Sequence, residues 1–175
     1  MSMTEQMGAA RIDHVVVPGT FDPVTLGHMD VISRTRKLFP RVTVAVAASV
    51  NKRGRGTAFT LEERVEMLRQ ALAEEGLSDV EVLPFTGLLV DFCHGIGALG
   101  VVKGLRAMTD FEYELQQADL NCHMAPDIES VFVMSNPKYG YVSSSIVREI
   151  SSMGSDVSSL VPPCVNQRLR EHYCA

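Results

Sequence analysis

Nothing in this sequence reads as a redox or structural-metal framework. Its four cysteines, Cys93, Cys122, Cys164 and Cys174, form no Cys-x-x-Cys pair and no zinc-like spacing. So few scattered thiols fit a reduced protein, and a cytoplasmic location is expected. Basic residues are not in excess either. Sixteen Lys and Arg against 21 Asp and Glu leave a formal net charge of −5, which argues against the broad basic surface that nucleic acid or an anionic membrane attracts. An anionic ligand would have to be held by a few placed cations. Long hydrophobic runs are missing too: the apolar-rich stretch 42–50 is far too short to span a bilayer. Residues 1–13 are polar and lack the apolar core of a secretory signal. Residues 1–10 read as a loose extension, and residues 11–175 as one domain with a sizeable core.

Two phosphate-binding fingerprints are also absent. No GxGxxG follows the first strand candidate, and no GxxxxGK[ST] occurs anywhere. What the chain has is alternation. Short β-branched runs at 14–17, 42–47, 80–83, 100–104 and 130–134 read as five strands. Longer amphipathic stretches at 27–38, 60–76, 88–94, 110–123, 143–153 and 163–172 read as helices between and after them. Thr60 with Glu63 three residues later predicts a capping box, and Gly76 a helix stop. Nearly all-apolar strands alternating with helices predict a Rossmann-like, doubly wound, five-stranded parallel sheet covered on both faces. Ligands of such sheets bind at the carboxyl ends of the strands, near the topological switch point.

The polar residues of interest fall at those ends. After the first strand, Gly19-Thr20-Phe21-Asp22-Pro23-Val24-Thr25-Leu26-Gly27-His28 leads into a helix start, where free N–H groups and the helix dipole favour phosphate. After the second, Lys52, Arg53 and Arg55 lie in a Gly-rich loop. That loop is either a solvated charge run or a mobile cation that reaches a phosphate. After the fourth, Lys103 and Arg106 flank Gly104-Leu105, followed by the acidic-aromatic run 110–114. After the fifth, Tyr139-Gly140-Tyr141-Val142-Ser143-Ser144-Ser145 opens a helix. Three serines there serve as caps or as donors to a nucleotide phosphate. No cluster of metal ligands is visible.

The string Thr25-Leu26-Gly27-His28 resembles the T/HxGH motif of the nucleotidyltransferase superfamily. The PGTFDPxTxGH start, the FTLEER helix start at 59–64, GLR followed by DFEYE, and the ESVF…SSS stretch at 129–145 together resemble the bacterial-type phosphopantetheine adenylyltransferases. That resemblance covers residues 15–169 and is carried most specifically by GLR with DFEYE. It implies transfer of AMP from ATP to 4′-phosphopantetheine, giving dephospho-coenzyme A and pyrophosphate. It assigns His28, Lys52 and Arg106 to catalysis, and Thr20, Lys52, Leu89 and Lys103 to the acceptor. ATP contacts would come from Thr20, Phe21, His28, Gly104, Leu105, Arg106, Glu114 and Tyr139-Gly140-Tyr141-Val142-Ser143-Ser144-Ser145. Magnesium bound through substrate phosphates, a homohexamer, and coenzyme A or its dephospho form as product or feedback ligand are implied as well. The family often has Arg where Lys103 stands, and some members have Trp where Tyr139 stands.

A phosphomonoester has a second pKa of about 6 and is largely dianionic at neutral pH. An attacking phosphate therefore needs no strong base, which fits the lack of any Ser-His-Asp or Cys-His set. Catalysis is expected to rest on positioning and charge stabilisation. The rival readings are another TxGH nucleotidyltransferase, acting on nicotinamide mononucleotide or with CTP, and a non-catalytic nucleotide-binding module.

Overall fold

The computed structural model describes residues 11–48, 56–106 and 108–173. Five strands, β1 (His14–Gly19), β2 (Arg41–Ala47), β3 (Glu81–Phe85), β4 (Gly100–Leu105) and β5 (Glu129–Met134), form one sheet in the order β3-β2-β1-β4-β5. Every pairing is parallel, with Val15 and Val16 of β1 opposite Gly100 and Val101 of β4. The helices are α1 (Leu26–Leu38), α2 (Leu61–Glu74), α3 (Leu89–Ile96), α4 (Met108–Met124), α5 (Ser144–Ser152) and α6 (Pro163–Tyr173). The expected doubly wound architecture is the observed one.

Consecutive valines build the two faces. Val15, Val17, Val44, Val46 and Val102 enter the core shared with Met29, Leu68, Val165 and Leu169 on one side. Val16, Ala45 and Val101 enter a second core with Val90, Cys93 and Ile128 on the other. A strand buried on both faces loses the usual apolar-polar alternation, which is why β1 reads as a solid run of valines. The third strand was expected to stop before Pro84, yet β3 runs on to Phe85. As a sheet edge it pairs with β2 alone, so a residue without an N–H is tolerated there.

The order of strands reverses between β1 and β4, the two neighbours from which the chain winds outward in opposite directions. The carboxyl ends of β1 and β4, at Gly19 and Leu105, open onto one crevice. Helices α1 and α5 start beside it.

Candidate active site

A cavity of about 310 Å³ lies at this switch point. Pro18 and Gly19 from β1, Gly27, His28 and Val31 from α1, Lys103 and Gly104 from β4, and Arg106 just after it line the cavity. Glu114 of α4, Ser135 after β5, and Val142, Ser143 and Ser144 at the start of α5 complete the wall. Residues distant in sequence meet there because every strand points the same way.

The start of α1 fixes its histidine. Thr25 is the N-cap, and its side chain accepts from the His28 backbone N–H at 3.4 Å. In return the Thr25 N–H donates to His28 Nδ1 at 3.1 Å. This is a capping box with histidine in the place usually held by glutamate or glutamine. The reciprocal bond also sets the tautomer. With Nδ1 accepting, the ring proton of neutral His28 is on Nε2, the nitrogen away from Thr25. Burial first, and then the Arg106 guanidinium, push this imidazole down to about 4 from its ordinary 6.5. His28 at neutral pH is therefore an uncharged, oriented hydrogen-bond donor on a cavity wall.

Phe21 packs edge-on against the His28 ring, with centroids 5.1 Å apart. It holds this place with φ at +49°, a left-handed conformation that costs a non-glycine residue about 1–3 kcal/mol. A Cβ on Gly19 would lie 2.9 Å from the Phe21 ring, so the glycine makes room for it. Across the cavity, a Cβ on Gly104 would meet Val31 at 2.6 Å. The glycine after Lys103 thus lets β4 close against α1.

Two cations face the cavity with different partners. Lys103 Nζ is 3.1 Å from Glu114 Oε2, both side chains being partly buried. The contact is Coulombic in character, since its geometry is not that of a hydrogen bond. Arg106 Nη1 donates to the Val142 carbonyl at 2.7 Å, tying the end of β4 to the entry of α5. Ser143 caps α5 through the Ile146 N–H at 3.2 Å, and Ser144 Oγ donates to the Pro23 carbonyl at 2.8 Å. The serines are thus caps and ties whose residues also line the cavity.

Of the residues singled out from sequence, Phe21, His28, Lys103, Gly104, Arg106, Glu114, Val142, Ser143 and Ser144 come together on the cavity wall. Lys52 lies outside the described residues. Thr20, Leu105, Tyr139, Gly140, Tyr141 and Ser145 flank the cavity without lining it. Leu89 opens α3, partly buried against the second core and outside the cavity lining. Sequence reasoning passed over Asp22 and Arg64, which hold the loop after β1 from beneath. Arg64 is 2% exposed and donates to the Thr20 and Ala47 carbonyls at 2.6 and 2.9 Å. A charged residue on the apolar face of α2 was the available signal. Among the described residues no three His, Cys, Asp or Glu side chains converge on a point that could hold a metal.

Comparison with known proteins shows the family and the fold. The family model described as cytidylyltransferase-like matches residues 16–150. A phosphopantetheine adenylyltransferase of Nocardioides sp. (strain ATCC BAA-499 / JS614) is 48% identical over 160 residues, covering 91% of this chain and 97% of that protein. One of Thermobifida fusca (strain YX) is 50% identical over 159 residues, covering 91% and 93%. Among solved structures, a bifunctional NMN adenylyltransferase/ADP ribose pyrophosphatase from Francisella tularensis superposes with a TM-score of 0.69 at 15% identity. The match covers 94% of this chain and 51% of that one, so the chain spans about half of that protein. A putative nicotinate-nucleotide adenylyltransferase from Vibrio parahaemolyticus gives 0.64 at 16% identity, covering 90% and 91%. At such identities the structures establish the fold alone.

Proposed function

The chain belongs to the cytidylyltransferase-like family and, within it, to the phosphopantetheine adenylyltransferases, and on that footing we propose that the cavity at the β1–β4 switch point is where its reaction takes place. The enzyme transfers the adenylyl group of ATP to 4′-phosphopantetheine, giving dephospho-coenzyme A and pyrophosphate.

The observation that carries the assignment of the site is His28: a neutral, pre-oriented donor on the wall of a cavity that also presents Lys103 and Arg106. A phosphate oxygen of the acceptor attacks the α-phosphorus of ATP, the bond to the bridging oxygen breaks, and pyrophosphate leaves with the electron pair. Negative charge grows on the α-phosphate oxygens, and His28 Nε2–H donates to them. A donor already in place costs no reorganisation at that moment, and such groups contribute about 2.7–4 kcal/mol. Lys103 holds the acceptor phosphate, exchanging its Glu114 partner for a dianion. Lys52, on the segment after β2, is a second cation for the same phosphate. Arg106, with the α5 entry at Ser143 and Ser144, takes the triphosphate.

Magnesium would be held through the substrate phosphates and water, with no dedicated protein cage. The site fits this role, because among the described residues its lining sets one carboxylate, Glu114, beside the cations Lys103 and Arg106. When bound, the ion would supply charge neutralisation for the leaving pyrophosphate. A cytoplasmic location follows from the substrates; no helix among the described residues is long and apolar enough to cross a membrane. A homohexamer is supported by family membership and by large apolar side chains exposed along α4, Tyr113 at 57% and Leu120 at 54%. Dephospho-coenzyme A or coenzyme A would act as product or feedback ligand at this site, because each carries the phosphates that the acceptor and ATP bring to it. The test is pyrophosphate release on mixing the protein with ATP, magnesium and phosphopantetheine: turnover is expected, and its absence contradicts the reading.

A further inference from the structure

The loop between β1 and α1 is fastened from three sides by groups that mostly lie outside the cavity lining. Asp22 is 4% exposed, and its carboxylate accepts the Ala58 and Phe59 N–H groups at 2.9 and 3.0 Å. Arg148 of α5 places Nη1 3.3 Å from the same carboxylate and also donates to the Asp22 carbonyl. The next carbonyl, of Pro23, accepts from Ser144. Capping does not explain these bonds. Helix α2 has its own capping box in Thr60 and Glu63, and α5 has Ser143. Nor does a buried ion pair by itself argue for stability, because desolvation offsets much of the attraction. What the arrangement does fix is relative placement. It sets the loop bearing Phe21, against which His28 packs, with respect to both the segment entering α2 and the Ser143–Ser144 edge of the cavity.

We propose that the Asp22–Arg148 pair is a positioning clamp for the transfer step, holding the His28 side of the cavity in register with the α5 side. Asp22 and Arg148 are positioning residues here, acting through Phe21 and the α5 entry. The proposal rests on the adenylyl-transfer reading. A clamp of this kind should leave ground-state binding nearly intact while degrading alignment at the reacting centre, where a displacement of about 1 Å can cost about 100-fold.

The experiment compares Arg148→Ala, Arg148→Lys and Asp22→Asn with the parent in pyrophosphate release, and follows the His28 ring resonances by NMR. Arg148→Ala is expected to lose about tenfold or more in kcat, with KM for ATP and for phosphopantetheine changing less than about threefold. Arg148→Lys should recover most of that loss, and low-millimolar guanidinium part of it in Arg148→Ala. The His28 resonances should move in Arg148→Ala and return toward the parent in Arg148→Lys. If Asp22→Asn does not fold, Arg148→Ala decides, since its side chain is 29% exposed and its removal leaves less buried polar surface. A folded Arg148→Ala with kcat within about twofold of the parent overturns the clamp, as does a loss confined to KM. A parent without turnover counts against the functional reading instead; unmoved His28 resonances in Arg148→Ala then still overturn the clamp.

Discussion

Two histidines sit at opposite ends of β1 and its neighbours, and they differ in what their second nitrogen can reach. His14, at the amino end of the sheet, is 6% exposed and bonded through Nε2 to Thr43 Oγ1 at 2.8 Å. Thr43 Oγ1 donates a hydrogen bond to Glu81 Oε2 at 3.1 Å, so His14 is the donor to Thr43. Its Nδ1 is buried against the Ile96 and Gly97 backbone, short of full hydrogen-bond geometry, and reaches no ligand-sized space. His28, at the carboxyl end, has Nδ1 engaged by its own helix cap and lies on a cavity wall. Both imidazoles titrate below their ordinary value, chiefly because of burial and secondarily because of an arginine, Arg41 for His14 and Arg106 for His28. Perturbed titration therefore does not separate a working histidine from a structural one. Access to a ligand-sized space beside placed cations does.

The sharpest way to break the comparison is to delete each ring. His28→Ala should lower kcat by about 100-fold or more, while its lost cap bond costs about 1 kcal/mol, roughly 2–4 °C in melting temperature. His14→Ala should leave kcat within about twofold of the parent, yet cost about 1–3 kcal/mol, roughly 2–12 °C in melting temperature for a chain of this size. Steady-state kinetics and thermal melts on the same samples decide it, and the reverse pattern would exchange the two roles.

The pH dependence of stability comes next in size. In the unfolded chain both histidines protonate near their ordinary 6.5, whereas folded His28 does so only at about 4. As pH falls through that window the unfolded state binds protons first, so stability drops, and below about 4 the His28 contribution is fully lost. The full loss from His28 should be about 3 kcal/mol. Melts between pH 7.5 and 4.5 check this. His28→Gln should flatten the slope below pH 6.5, and an unchanged slope would contradict the burial account.

A third contrast lies within the cavity. Lys103→Ala should weaken phosphopantetheine binding about tenfold and Arg106→Ala should weaken ATP binding about tenfold, because each leaves a different anion unpaired. Calorimetric titration of each ligand into each variant reads this, and equal weakening of both ligands by both variants would remove the division of labour. The smallest effect belongs to the far end. Thr43→Val should cost about 1 kcal/mol, roughly 2–4 °C, with no change in kcat. A fall in turnover would tie the amino end of the sheet to the chemistry.

Much of this was legible in sequence because it is local. Valine runs betray strands buried on both faces, and Thr60 with Glu63 marks the start of α2 to the residue. The helix start at His28 was readable from Thr25-Leu26-Gly27-His28. Its orientation was not, because a histidine in the reciprocal position of a capping box does not look like one. Long-range ties were invisible: Asp22 meets residues 36 and 37 positions away, and Arg148 lies 126 positions from its partner. Pro84 misled because edge position is a property of the sheet, not of the strand. Leu89 and Tyr141 came from resemblance alone; Leu89 is partly buried against the second core and Tyr141 is 68% exposed, so neither lies on the cavity wall.

The central claim is that this cavity joins an acceptor phosphate to the α-phosphorus of ATP by placement and charge. Pyrophosphate release measured with ATP and magnesium, offering phosphopantetheine, pantetheine, nicotinamide mononucleotide and phosphocholine in turn, tests it most directly. Turnover with phosphopantetheine alone is the predicted result, since pantetheine lacks both the anion that Lys103 would hold and the dianionic nucleophile. Comparable release with pantetheine, or faster release with nicotinamide mononucleotide, would contradict it.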